Sequence, residues 1–571
     1  MMKLTTTFCA VLLSLSGAVA AQEAAPQPAR TRQPAGGTSG AAPAEFAPSP
    51  YIVPVGMVPG GAFIDRIRPM PVERGMRSDV WGGENVRPRN ATNGLEDPEW
   101  SYWCMSVVRG DDGKEHMFAC RWPEKSPGGH KTWPRSEVVH AVADRPTGPF
   151  VVQHEIGPGH NVMCFRAKDG TYVLYVIGKA YVSKSLAGPW TPHKLSYDLR
   201  GTGPSKMTNL TFAQREDGSY LMVSREGHIW ISEDGLKPFR KIVSRSVYPP
   251  IPGRFEDPVV WRDNVQYNLI VNDWFGRTAY YLRSTDGVTW VWDSGKAYDT
   301  DVVRHPDGTK EGWVKLERSN VRQDALGRAT HLYFAAIDSQ KSEDLGGDNH
   351  SSKIVALPLT VPRRVEILNE PPIGAATNEV RIAIRAEEDF DPTSTADIQS
   401  LRFGAPARVD FGRGSKAESF ERQGRDLIVT FRGADAGLTK TDFVAKLLGK
   451  TATGELLLGY ATMPGHAKLD SILVSREPKL SSMGDGGHSI SLLVENFGQV
   501  ESGPTPLKLV FRDKGQVTHS LTASIPAIVP YGNATVEAPV TAGRLKSHYD
   551  YELEVIINPD RPHSERYTIQ P

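Results

Sequence analysis

The stretch LTFAQREDGSYLMVS, Leu210 to Ser224, decides the fold. Two runs rich in apolar residues flank Glu216-Asp217-Gly218-Ser219. An Asp-Gly between such runs marks a β-hairpin, because glycine accepts the positive φ that a tight turn needs. The same unit recurs on both sides. Trp100 to Val108 and His116 to Arg121 flank Asp111-Asp112-Gly113-Lys114. Val162 to Arg166 and Tyr172 to Ile177 flank Lys168-Asp169-Gly170-Thr171. Val259 to Arg262 and Tyr267 to Val271 flank Asp263-Asn264, and Asn320 to Arg322 and His331 to Ala336 flank Asp324-Ala325-Leu326-Gly327.

A further strand follows each hairpin, usually with a turn and an aromatic residue. Ser183-Lys184-Ser185 with Trp190, Ser232-Glu233-Asp234 with Phe239, and Ser284-Thr285-Asp286 with Trp290 echo one another. Each unit holds about four strands in roughly fifty to sixty residues, the size of a propeller blade. Five units between about residues 85 and 365 predict an all-β chain led by a five-bladed β-propeller, in preference to one large β-sandwich. Two small β-sandwich domains are expected after it. The boundaries read 51–365 for the propeller, 366–466 for the first sandwich and 467–571 for the second, immunoglobulin-like one. Thr439 to Leu448 is a candidate short helix.

Ahead of the propeller, Lys3, an apolar run from Phe8 and the small residues Ala18-Val19-Ala20 predict a cleavable signal peptide, 1–21. An Ala/Pro-rich linker, 22–50, follows. The protein is expected to be periplasmic or secreted, with no membrane span. Lys+Arg and Asp+Glu are equal at 66 each, which gives no charge bias toward nucleic acid. Export allows disulfides. Cys104 and Cys120 fall on paired strands of one hairpin, so a bridge between them and plain buried thiols are both open readings. No Cys/His spacing resembles a zinc site, so no metal ligands are assigned.

In a propeller the innermost strand of each blade begins near the axis. The five expected starts are Glu96-Asp97-Pro98, His160-Asn161, Thr208-Asn209, Glu256-Asp257-Pro258 and Glu317-Arg318. All are polar, and three carry carboxylates. Proline suits the first position of a strand. Crowded carboxylates resist joint ionisation, which keeps a proton donor available near neutral pH. Glycoside hydrolysis needs two carboxyl groups about the scissile bond. Asn161, Asn209, His160 and Arg318 can bind hydroxyls or an acidic sugar. Glu96 and Glu256 are expected to line the mouth, and Trp274 can stack on a sugar ring.

Glu96-Asp97-Pro98, Gly159-His160-Asn161, Phe255-Glu256-Asp257-Pro258 and Glu317-Arg318 resemble the blade-start motifs of five-bladed propeller glycoside hydrolases of family 43 and, more similar here, family 117. The resemblance implies an inverting, exo-acting hydrolase of polysaccharide-derived oligosaccharides. It makes Asp97 the general base, Asp257 the residue that tunes the site, and Glu317 or a histidine, His160 or His331, the acid. Family 43 expects carboxylates at the second and third starts, where this chain has His160-Asn161 and Asn209. No organic cofactor is implied, and an axial divalent cation such as calcium can be accommodated. Two alternatives share the scaffold. A polysaccharide lyase would use His160 with Arg318 or Arg225, and a carbohydrate-binding propeller would do no chemistry.

Overall fold

The computed structural model describes residues 54–571 apart from 79–81, 276, 467–468, 485, 542–544, 547–548 and 559–562. The expected signal peptide and linker lie outside the described residues. The fold is nearly all-β, and no described helix is long and apolar enough to cross a membrane.

The five hairpin units form five separate sheets, each opening on one strand and antiparallel except where Tyr197–Asp198 adds in parallel to Phe239–Val243 in the third. The opening strands are β1 (Trp100–Arg109), β2 (Met163–Arg166), β3 (Thr211–Gln214), β4 (Phe255–Arg262) and β5 (Lys315–Gln323). From the opening strand the strands follow in chain order, except that Tyr197–Asp198, from before the third opening strand, forms that sheet's far edge and Tyr298–Asp299 pairs off the path in the fourth. The hairpin turns are built alike. The carboxylates of Asp112, Asp169, Asp217, Asp263 and Asp324 each accept the backbone N–H two residues on, at 2.8–3.0 Å. Such Asx turns explain why one acidic residue recurs in every unit.

The opening strands neighbour one another in a closed cycle, β1 to β2, β3, β4, β5 and back to β1. Side chains tie the neighbours together. The Val107 N–H donates to Asn320 Oδ1 at 3.1 Å, the Cys164 N–H to Ser106 Oγ at 3.0 Å and the Val260 N–H to Thr211 Oγ1 at 3.1 Å. Middle strands such as Tyr267–Asp273 and Thr278–Ser284 are buried on both faces, which is why they read as continuous rather than alternating runs.

The fifth sheet has only three strands, Lys315–Gln323, Ala329–Ile337 and Ser352–Pro358. Chain from before β1 completes its edge. Leu95 and Ile354 exchange backbone hydrogen bonds at 3.1 and 3.0 Å, and the Arg68 N–H donates to Pro358 O at 2.8 Å. Gly94 is required there: a Cβ on it would lie 1.9 Å from Ile354 O. Glu96 fastens the same seam, accepting from Arg89 Nη2 at 2.7 Å and Lys353 Nζ at 2.8 Å. Burial opposes ionisation of Glu96, but Lys353 and Arg89 outweigh it and hold the carboxyl below its ordinary value.

The segment expected as a first sandwich is instead a closed seven-stranded barrel from Arg363–Ile367 to Leu456–Thr462. Arg363–Ile367 pairs in parallel with Leu456–Thr462, which closes the sheet on itself. Alternation along single strands carries no trace of that long-range pairing. The expected helix at Thr439 to Leu448 is also corrected: Val444–Thr451 is a barrel strand, paired along its length with Leu456–Thr462. Tertiary pairing overrides a weak helical pattern. The last segment folds as two four-stranded antiparallel sheets sharing one core that includes Leu492, Leu509, Phe511 and Leu553. Its Glu495 accepts from buried Arg200 Nε at 2.9 Å, which docks it on the third sheet's side of the molecule.

Glu96→Ala would remove the one carboxylate that two buried cations share, leaving Lys353 with Asn90 O. It should lower stability by about 3–5 kcal/mol in urea unfolding. Unchanged stability would show that Glu96 does not hold this seam.

Candidate active site

Five non-glycine residues at the mouths of the opening strands have left-handed backbones: Cys104 (φ 53°), Asn161 (56°), Asn209 (51°), Asp257 (56°) and Arg318 (52°). Asn and Asp adopt this conformation with local hydrogen bonds, whereas Cys and Arg do so only under constraint. The strand register slips around three of them, between Trp103 and Met105, Glu256 and Val259, and Glu317 and Asn320. These bulges turn five successive side chains onto the axis.

The five side chains join in a ring. Cys104 Sγ donates to Asn161 Oδ1 at 3.3 Å, and Asn161 Nδ2 donates to Asn209 Oδ1. Asn209 Nδ2 donates to Asp257 Oδ1 at 2.7 Å. Arg318 binds both Asp257 oxygens, through Nη1 at 2.9 Å and its backbone N–H at 3.2 Å. Arg318 and Cys104 stand on the neighbouring strands β5 and β1, which completes the circle.

This geometry corrects the expected first start. Cys104, not Asp97, is the counterpart of Asp257. Asp97 accepts the Glu99 N–H at 2.8 Å in a local turn and does not line the cavity above the ring. The Glu-Asp-Pro match between 96–98 and 256–258 is a coincidence of letters. The shared left-handed backbone carries the equivalence, and spacing supports it for the first three: Cys104 precedes Asp112 by eight residues (112 − 104), as Asn161 precedes Asp169 and Asn209 precedes Asp217, whereas Asp257 and Arg318 precede Asp263 and Asp324 by six (263 − 257, 324 − 318).

The residues just before each ring member line a cavity of about 240 Å³: Trp103, His160, Thr208, Glu256 and Glu317. Asn161, Asn209, Asp257, Arg318 and Arg225 line it as expected. His130 and Trp133 join from the 3-10 helix Gly129–Arg135 and Lys341 from a turn, and these three, with Trp103, escaped sequence reading because nothing in their local pattern marks them. Glu96, Trp274 and His331 stand outside the lining. Glu96 serves the sheet seam, Trp274 packs on Phe275 with ring centroids 4.1 Å apart, and His331 bonds Thr330 Oγ1 at 3.1 Å. A wider cleft of about 610 Å³ beside the barrel carries only surface ion pairs such as Arg385–Glu366.

Three carboxylates meet at the cavity. Glu256, Asp257 and Glu317 each offer an oxygen, all within 4.8 Å of one another. Burial, Asp257 and Glu317 push the Glu256 carboxyl up to about 7, against the pull of Arg225 Nη2 at 2.7 Å. Arg225 is 39% exposed, so water weakens that pull. Glu317 is ion-paired with Lys341 through Oε2, and Lys315 Nζ lies 3.7 Å from Oε1. Oε1 is buried without a hydrogen-bond partner. These three carboxylates could hold a divalent cation, but Arg225, Arg318 and Lys341 already balance their charge.

No protein-family model matches the chain, and no curated protein matches it. Solved structures similar to it include the GH43 BlXynB protein from Bacillus licheniformis, at 10% identity over 86% of this chain and 90% of that one, TM-score 0.32. An alpha-L-arabinofuranosidase from Lactobacillus brevis is 10% identical over 45% and 90%, TM-score 0.31. A putative exo-beta-1,3-galactanase from Bifidobacterium bifidum s17 is 14% identical over 50% and 97%, TM-score 0.31.

Proposed function

We propose that this chain is an exported glycoside hydrolase whose five N-terminal sheets are the blades of a β-propeller, acting on oligosaccharides derived from a polysaccharide. The observation that carries the reading is the unequal carboxyl pair. Glu256 keeps its proton to about pH 7, and Glu317 Oε1 has no hydrogen-bond donor, its nearest cation being Lys315 Nζ at 3.7 Å. That is the division of labour glycoside hydrolysis needs. Glu256 protonates the departing oxygen, and Glu317 Oε1 attacks the sugar or activates water.

Inverting enzymes separate their carboxyl groups by about 6.5–9.5 Å to admit water, and retaining enzymes by about 5–5.5 Å. The nearest oxygens of Glu256 and Glu317 lie within 4.8 Å of each other, a spacing of facing atoms that both arrangements admit, so the inverting course stays as the family resemblance implies it. Trp103 and Trp133 offer apolar faces for a sugar ring, and Asn161 and Asn209 polar edges for hydroxyls. The cavity's small size suits a chain end, which supports exo action.

One observation favours a second reading, a carbohydrate-binding module without turnover. Each of Glu256, Asp257 and Glu317 already has a cationic partner, and catalysis requires the substrate to loosen at least one pair.

A panel of plant and algal oligosaccharides separates these readings. Wild type should release reducing sugar. Glu256→Gln and Glu317→Gln should each lose about 10²–10⁴-fold in rate, while Asp97→Asn stays within a few-fold of wild type. Loss in Asp97→Asn with activity kept in Glu256→Gln would overturn the site. New absorbance from an unsaturated product would identify a lyase, and binding without turnover the second reading.

The acid role also fixes a pH dependence. Glu256 is protonated below about 7, so turnover should fall as pH rises through that value. A rate that keeps rising past pH 8 would exclude Glu256 as the acid.

A further inference from the structure

The half of the ring that lacks carboxylates has chemistry of its own. Cys104 and Cys120 are wholly buried, and His160 turns its Nε2 toward them, 3.6 Å from Cys104 Sγ. The two sulfurs and one imidazole nitrogen all lie within 4.8 Å of one another. The sulfurs come from the paired strands β1 and Glu115–Pro123 of one hairpin and the imidazole from the loop before β2.

The tautomer of His160 is fixed by Ser136. Ser136 Oγ has one proton and two backbone acceptors, Trp133 O at 2.7 Å and Gly159 O at 2.9 Å. Toward His160 Nδ1, 2.9 Å away, it therefore accepts. Nδ1 carries the proton, and the Nε2 lone pair faces the sulfurs. A metal-binding histidine is held in the same way, by a hydrogen bond from its other ring nitrogen.

We propose that Cys104, Cys120 and His160 Nε2 bind one zinc ion beneath the cavity floor. Zinc–sulfur and zinc–nitrogen bonds of about 2.3 and 2.0–2.1 Å place S and N about 3.6 Å apart across a tetrahedron, the separation between Cys104 and His160. Asn161 Oδ1, 3.3 Å from the same sulfur, is placed to complete the coordination. Both thiols lose their protons on binding, and zinc replaces them.

Cys164 provides an internal contrast. It is also buried, but burial alone acts on its thiol and raises it. Cys104 Sγ instead has His160 Nε2 at 3.6 Å and Asn161 Oδ1 at 3.3 Å beside it. Cys104 also adopts a left-handed backbone that a plain core cysteine has no reason to adopt.

The test is metal analysis of the full protein, purified reduced, stripped with chelator and incubated with Zn²⁺. One zinc per chain should remain after desalting. Co²⁺ in its place should give a sulfur-to-cobalt charge-transfer band. Cys120→Ser should lose the band, and Cys164→Ala should keep it. Ser136→Ala should weaken zinc affinity about 10–100-fold, a change that a purely packing role for His160 would not produce. The proposal is overturned if reduced wild type retains no zinc. It is also overturned if alkylation mapping of the native protein shows Cys104 joined to Cys120.

Discussion

Five side chains forced onto one axis are the constraint on which the structure depends. Each opening strand enters the cycle through a left-handed residue, a conformation that costs of order 1–3 kcal/mol where the side chain is not Asn, Asp or Gly. The hydrogen bonds from Cys104 through Asn161, Asn209 and Asp257 to Arg318 offset that strain. The only full charges in the ring, Asp257 and Arg318, sit side by side and satisfy each other. Removing either would leave a buried ion alone, far costlier than the strain itself.

The ring also sets the electrostatics of the cavity above it. Turning five residues inward aims the five before them at one small volume. On the side of β4 and β5 those residues are Glu256 and Glu317, and burial, with repulsion from Asp257 and then Glu317, is what lifts Glu256. On the side of β1 and β2 they are Trp103 and His160, backed by Cys104 and Cys120. Acid–base chemistry and soft-ligand chemistry thus occupy opposite arcs of one circle. His160 is drawn to the second arc by Ser136, which leaves proton transfer to the carboxylates.

Much of this was legible in the sequence, and the exceptions have physical causes. The Asx turns repeat because each hairpin needs the same carboxylate, so the five units could be read directly. Glu256, Asp257, Glu317 and Arg318 could be placed because they stand just before obvious strands. Asp97 was misplaced because Glu-Asp-Pro looks the same in a seam as at a strand mouth. Distance to the hairpin turn would have pointed to Cys104, a residue whose chemistry does not announce a site. Lys341 reaches the cavity from a turn and Trp133 from a short 3-10 helix, where no periodicity constrains position. The barrel escaped because its closure is one parallel pairing between strands ninety residues apart in sequence (456 − 363 = 93).

The most direct test is a carbon-13 titration of the glutamate side-chain carboxyls, assigned with Glu256→Gln and Glu317→Gln. One carboxyl should titrate near pH 7, vanish in Glu256→Gln and move down toward the ordinary glutamate range in Glu317→Gln. If Glu256 titrates in that ordinary range in the unaltered protein, the two carboxyls are not an unequal pair, and the acid–base reading of the cavity fails.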